Sequence, residues 1–426
     1  MRGFPSNRSI GRRCAKALLA SAAMLALAAT GAAKASINVL YSFQGGTVDG
    51  AYPYDSLIES GGKLYGTTMN GGSSNDGVVF AVPTTGGSDS ILHNFAGGTD
   101  GAEPRAALIQ SGTTLYGTAA YGGASDGGVV FSVPIGGGPD TVLHAFAGGV
   151  DDGLRPYSSL TQSSGTLYGT TWAGGGSSVG VVFSESTGGG SDSILHSFAG
   201  GADGTQPYGS LVQSGNTLYG TTVNGGSNND GLVFSESTSG GTPTALASFT
   251  GNTGTSPGTD PYGSLLLSPT DSTLYGMTSY GGGNGDGVIF SIPAAGGPET
   301  VLHVFDGTDG AYPKDSLIQA PDGTLYGTTF QGGASGDGTI FAIQPDGSGY
   351  QVLDSFDGTD GQNPSGGLLL DGSTLYGTTE TFGSDGHGEV FSATTPEPAT
   401  LSLLALGGLG LLARRRRRGP GDAATR

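Results

Sequence analysis

Short apolar runs recur along the chain, each bounded by Gly, Ser, Asp or Pro. One stretch reads AALIQS from Ala106, TLYGTA from Thr114, GVVFSV from Gly128 and TVLHAF from Thr141. Runs this short, rich in β-branched and aromatic residues and separated by turn formers, predict strands. The same quartet returns throughout. Leu-Tyr-Gly begins at Leu64, Leu115, Leu167, Leu218, Leu274, Leu325 and Leu375, in steps of 51, 52, 51, 56, 51 and 50 residues. Four antiparallel strands in about 50 residues match a propeller blade; a parallel β-helix would use shorter coils, and a sandwich would not repeat so evenly.

The order of the strands is offset. NVLYSF, at Asn38–Phe43, is a fourth-type strand that precedes any first-type strand. GEVFSA, at Gly388–Ala393, is a third-type strand with no fourth after it. Pairing the two would complete the last blade and leave only short outer edges exposed. The expected fold is all-β: one seven-bladed β-propeller of about 51-residue, four-stranded repeats over residues 36–393, closed by its N-terminal strand. The repeated residues are LYGTT, the following Gly-Gly, the G-x-V-F strand and the V-L-H-x-F strand. They resemble the GloVer tandem-repeat proteins of the choice-of-anchor type, whose members join such arrays to various surface-anchoring tails. The resemblance implies no particular activity.

The two ends differ from this body. Residues 1–35 carry six basic residues and no acid, an apolar run around Leu18–Ala29, and a closing Ala33-Lys34-Ala35. This is the pattern of a secretory signal peptide cleaved after Ala35; Arg12-Arg13 raises a twin-arginine alternative that the following residues fit poorly. The one cysteine, Cys14, leaves with the signal, which excludes disulfide and thiolate chemistry from the exported protein. At the other end Pro396-Glu397-Pro398 precedes an apolar stretch, Leu401–Ala413, and then Arg414, Arg415, Arg416, Arg417 and Arg418. The stretch is short for a bilayer helix, which needs about 20 residues, and the arginines would hold its end on the cytoplasmic side. A simple tail anchor is one reading. The order of the three elements over residues 394–418 is similar to the PEP-CTERM sorting signal, with residues 419–426 as an added tail. That resemblance implies an exosortase-type membrane protease as partner, a Gram-negative envelope, and association with exopolysaccharide.

Charge narrows the partners. The whole chain carries a formal net charge of −19. Between residues 37 and 393 there are 33 acids and four bases (Lys63, Arg105, Arg155 and Lys314), so four minus 33 gives −29 for the body. Such a body excludes nucleic acid and suits cations, neutral sugars or solubility outside the cell.

Two loops of each repeat carry acids. F-x-G-G-x-D-G-x-x-P joins a fourth strand to the next first strand and holds Asp49, Asp100, Asp152, Asp203, Asp309 and Asp360; the longer fifth copy has Asp260 before Pro261. G-G-x-x-x-D-G joins second to third strands and holds Asp76, Asp126, Asp230, Asp286, Asp337 and Asp385, with Val179 in the third copy. Strand alternation puts both loops on one face of the disc. Turn chemistry alone explains Asp-Gly; the functional reading is a surface for sugar hydroxyls or Ca²⁺. Asp306, Asp309, Asp357 and Asp360, in two DGTDG loops, form the densest version, without the spacing of an EF-hand. Tyr54, Tyr157, Tyr208, Tyr262 and Trp172 offer stacking surfaces nearby.

His93, His144, His196 and His303 share one fourth-strand position, where other copies have Tyr41, Ala247 and Asp354. Placed blade by blade around the rim, these imidazoles are too far apart to share an ion, and structural roles are expected. Likewise, seven copies of LYGTT point to packing rather than catalysis. No Gly-x-Ser-x-Gly, His-Glu-x-x-His or P-loop occurs. Residues that break the repeat, Glu103, Glu185, Glu236, Glu299 and Glu380 beside Trp172, contain no marked pair. The sequence therefore predicts a non-enzymatic surface protein that meets polysaccharide through its aspartate face. A polysaccharide hydrolase or lyase with a carboxylate pair near the central channel is the alternative.

Overall fold

The computed structural model describes residues 36–395, apart from Ser191 and Thr255. The signal peptide, Pro396-Glu397-Pro398, the apolar stretch and the arginines lie outside the described residues. Among those described, no helix is long and apolar enough to cross a membrane.

The fold is an all-β propeller of seven four-stranded blades. In the second blade the strands run Ile109–Ser111, Thr114–Ala119, Val129–Pro134 and Thr141–Ala145, each antiparallel to the last. The ring closes as the offset requires. Asn38–Ser42 lies antiparallel to Glu389–Thr394, with Val39 opposite Phe391. The first strands are shorter than the apolar runs predict, two or three residues in each blade. Ahead of them the chain turns along the channel wall, where serine and aspartate side chains replace the sheet partners.

Each repeated residue has a packing role. The LYGTT glycine sits opposite a phenylalanine of the same blade, as Gly117 does Phe131. A Cβ on Gly117 would come 2.7 Å from Phe131 Cζ and 3.0 Å from Leu108 Cδ2. It is therefore the blade's own phenylalanine, more than the neighbouring blade, that requires glycine here. The tyrosine packs outward into the next blade: Tyr65 shares a buried cluster with Leu108, Leu115 and Phe131. The first threonine crosses the same seam, as Thr67 Oγ1 donates to Ala106 O at 3.1 Å and Thr378 Oγ1 to Asp55 O at 3.1 Å.

Phenylalanines join the blades in turn. The residue ending each V-L-H-x-F run meets the third-strand phenylalanine of the following blade edge-to-face. The pairs are Phe43–Phe80, Phe95–Phe131, Phe146–Phe183, Phe198–Phe234, Phe249–Phe290, Phe305–Phe341 and Phe356–Phe391, with centroids 4.9–5.6 Å apart. Phe43, from the closing strand, completes the circle.

Candidate functional site

The two aspartate-bearing loops lie together on one face. Gly50–Pro53 pairs with the end of the second strand, and isolated bridges such as Ala102–Tyr121 and Ala311–Gln331 repeat this contact. Between blades, the glycine of the Asp-Gly pair meets the proline of the next repeat: Gly77, at φ +95°, would place a Cβ 2.7 Å from Pro104 Cδ. The repeated Asp-Gly and Pro thus form one joint.

The carboxylates of the loops entering the first strands turn inward. Asp49, only 4% exposed, accepts from Gln44 N at 2.6 Å, Gly50 N at 2.6 Å and Tyr41 Oη at 2.9 Å. Asp100 and Asp203 accept from Ala96 N and Ala199 N at 2.6 and 2.7 Å. Asp152 does so from Ala147 N at 2.6 Å. Asp309 and Asp360 accept from Asp306 N and Asp357 N at 3.0 and 2.9 Å. The rim histidines pair with these same acids: His144 with Asp152 at 3.2 Å, His196 with Asp203 at 3.0 Å and His303 with Asp309 at 2.8 Å. Of the other copies, Tyr41 replaces histidine and still reaches its aspartate, and Ala247 stands in the repeat whose longer loop lacks the acid. Asp354 departs from the pattern and accepts from Ile37 N at 3.3 Å.

The other loop acids are closer to the surface. Asp126 Oδ1 accepts from Gly122 N at 2.9 Å, Ser384 Oγ donates to Asp385, and Asp337 accepts from Gln362 Nε2. Burial raises the Asp76 pKa, with Glu103 and Asp100 adding to it. Asp230 and Asp286 stand beside Gly251 and Gly307 of the adjoining loops. Asp306 and Asp357 hold their own turns, each accepting from the hydroxyl of the threonine two residues on at 2.6 Å.

The channel lining differs. The residues after the repeat proline are Tyr54, Arg105, Tyr157, Tyr208, Tyr262, Lys314 and Ser365. Four of them are tyrosines and two are cations, and all seven line a cavity of about 270 Å³ at the axis. Tyr157 and Tyr208 stack at 5.2 Å and 25°, Tyr262 meets Tyr208 edge-on at 5.4 Å, and Tyr208 Oη donates to Tyr54 Oη at 3.3 Å. Trp172 stands edge-on to Tyr157 and Tyr208. The Arg105 guanidinium lies 5.5 Å from the Tyr157 centroid and donates to Glu103 at 2.7 Å. The Lys314 ammonium lies 3.1 Å from the Phe330 centroid, and burial lowers its pKa against the opposing charge of Glu380. Burial raises the pKa of Tyr157 and of Tyr262 to about 12, so both phenols keep their protons at neutral pH.

The cavity floor holds two acids that sequence reasoning missed. Asp55 accepts from Ser56 N at 2.6 Å, Ala107 N at 2.7 Å and Ser159 Oγ at 3.0 Å. Asp315 accepts from Ser316 N at 2.6 Å, Ser56 Oγ at 3.2 Å and Gly367 N. Burial and the neighbouring Asp55 hold the Asp315 carboxyl well above the usual range. Their signal was present: two residues after the repeat proline, Asp stands only in PYDSL and PKDSL, where the other repeats have Ala, Ser or Gly. Of the glutamates that break the repeat, Glu103 and Glu380 flank the cavity. Glu185 and Glu236 are buried in third strands next to rim histidines, and burial takes Glu299 to about 8.

Residues 29–201 and 177–391 match the Gloeobacter/Verrucomicrobia repeat, and the chain belongs to that family. Residues 394–418 match the PEP-CTERM protein-sorting motif, which implies processing by exosortase-type machinery and a secreted or cell-surface protein. No curated protein matches the chain. Among solved structures it is similar to the extracellular domain of BT4673 from B. thetaiotaomicron, at 13% identity and TM-score 0.54 over 85% of this chain and 40% of that one. It is also similar to an oligogalacturonate lyase in complex with manganese, at 13% identity and TM-score 0.53 over 86% of this chain and 99% of that one. A puromycin-hydrolysing peptidase of Mycobacterium tuberculosis gives 12% identity and TM-score 0.53 over 84% and 55%. At such identities the likeness is one of fold alone.

Proposed function

We propose that this is a non-enzymatic, surface-sorted propeller that binds an acidic sugar unit of extracellular polysaccharide at the mouth of its central channel. One observation carries the reading. Of only four bases in a body of charge −29, Arg105 and Lys314 line the cavity, and Arg155 lies 4.2 Å over Tyr121 beside it. In so acidic a protein, cations gathered among stacked tyrosines supply attraction for a carboxylate and flat apolar faces for a sugar ring. The loop aspartates support the joints of the ring, and the ligand surface moves from them to the axis. A glycan array comparing neutral with uronic-acid oligosaccharides tests this. Retention of the acidic set, lost in Arg105→Ala and Tyr157→Ala, is expected; equal retention of both sets, or none, overturns it.

A second reading rests on Asp55 and Asp315. Asp315, whose carboxyl burial and Asp55 hold well above the usual range, offers a general acid of the kind that glycoside cleavage uses. Reducing ends released from an acidic polysaccharide by the wild type, and lost in Asp315→Asn with binding retained, decide for it.

A further inference from the structure

The rim histidines are not equivalent. His196 and His303 lie within 3.0 Å of their loop aspartates, a hydrogen-bond distance. His144 uses both nitrogens, Nε2 toward Asp152 at 3.2 Å and Nδ1 toward Asp192 at 3.6 Å, and so links two acids in a row. His93 does neither. Its Nε2 faces Asp100 Oδ1 at 3.4 Å and Asp140 Oδ1 at 4.0 Å, one nitrogen between two carboxylates and without a hydrogen bond to either. The side chain is nine-tenths buried, and its ring is fixed edge-on against Phe95 at 4.7 Å. Asp140 Oδ2 is likewise buried and without a hydrogen-bond partner.

We infer that His93, Asp100 and Asp140 form a divalent transition-metal site that staples the first blade to the second. His93 is on the fourth strand of the first blade, Asp100 follows in the loop between them, and Asp140 precedes the fourth strand of the second. Ligands about 2 Å from one ion stand roughly 3–4 Å from each other, the separation seen here and too wide for good hydrogen bonds. The donor atoms of the three residues all lie within 4.8 Å of one another. One imidazole with two carboxylates suits Zn²⁺ or Mn²⁺ better than Ca²⁺, which takes oxygen alone. Two acids facing one buried imidazole also need a cation, and a metal supplies it without a proton. The third-strand residue near His144 is Glu185, whereas its counterpart in the second blade is Val133, so no further acid competes at the His93 site.

Titration calorimetry of the purified chain with Zn²⁺, Mn²⁺ and Ca²⁺, with thermal melts in metal and in chelator, tests the inference. One equivalent of Zn²⁺ or Mn²⁺ should bind, and a hundredfold excess over Kd should raise Tm by about 3–4 °C in a chain this size. His93→Gln and Asp140→Asn should each abolish both effects, while His144→Gln should leave them. Asp140→Asn, at a partly exposed position, keeps the test open if His93→Gln misfolds. Absence of saturable binding, preference for Ca²⁺, or loss with His144→Gln in place of His93→Gln would overturn it. The channel ligand plays no part in these readouts, so the two proposals fail separately.

Discussion

The outer rim and the channel lining are made by the same seven repeats, yet they treat repetition in opposite ways. At the rim a fourth-strand side chain meets a loop aspartate in blade after blade, with Tyr41, His144, His196 and His303 answering Asp49, Asp152, Asp203 and Asp309. At the channel the residue after the proline changes from Tyr to Arg to Lys to Ser, and the next alternates Asp with Ala, Ser and Gly. A position whose job is to join one blade to the next meets a similar demand at every joint, and four of the seven copies keep histidine there. A position that faces a single ligand on the axis sees it from seven directions and is free to differ. Variation within the repeat is therefore the better guide to function here, and abundance the better guide to structure.

The largest test breaks the joints. Deleting Asn38–Phe43 removes the partner of Glu389–Thr394 and the ring that packs on Phe80. A closed ring should lose its single cooperative melt; an unchanged transition would mean that the blades stand without closure. Within the ring, Phe131→Ala removes a fully buried side chain that contacts Phe95 across the seam. Its expected cost is about 3–5 kcal/mol, read by denaturant unfolding.

The channel should respond in the opposite manner. Tyr157→Ala and Arg105→Ala alter partly exposed groups at the cavity wall, and their cost to stability should stay within about 1 kcal/mol. Affinity for an acidic oligosaccharide should fall about tenfold for each, the loss expected for one stacking or charge-assisted contact. If instead either variant melts like Phe131→Ala and binds normally, the contrast between rim and channel collapses.

Much of this was legible in the chain, and for a physical reason. Strand type, blade count and closure depend on local patterns that recur seven times, so each copy corrects the others; the offset of NVLYSF against GEVFSA fixed the closing pair. The site was legible only in part. Tyr54, Tyr157, Tyr208, Tyr262 and Trp172 stood out as aromatic, but Arg105, Lys314, Asp55 and Asp315 occur at copies far apart in sequence that meet only at the axis. The direction of an aspartate side chain was equally hidden: Asp-Gly reads alike whether the carboxylate faces solvent or, as in Asp49, its own loop.

The finest test lies within the rim itself, at His144. Burial disfavours its charged form, but the hydrogen bond to Asp152 and the charges of Asp192, Asp152 and Glu185 outweigh it, and the pKa rises above the usual histidine value. A histidine whose folded pKa exceeds its unfolded value stabilises the protein fully below the unfolded pKa, about 6.5, and loses that contribution as pH rises through the folded value. Burial also raises the Glu185 pKa, so its charging as pH rises is likewise unfavourable in the folded state. Stability should therefore decline from pH 6 to pH 8. His144→Gln keeps the size and hydrogen-bonding capacity but not the charge, and should remove part of that decline. A contribution of about 1 kcal/mol corresponds to roughly 1–2 °C of Tm in a chain this long. Melting curves of the two proteins that remain parallel across this range would show that the His144–Asp152 contact joins the blades as a neutral hydrogen bond, with no charge behind it.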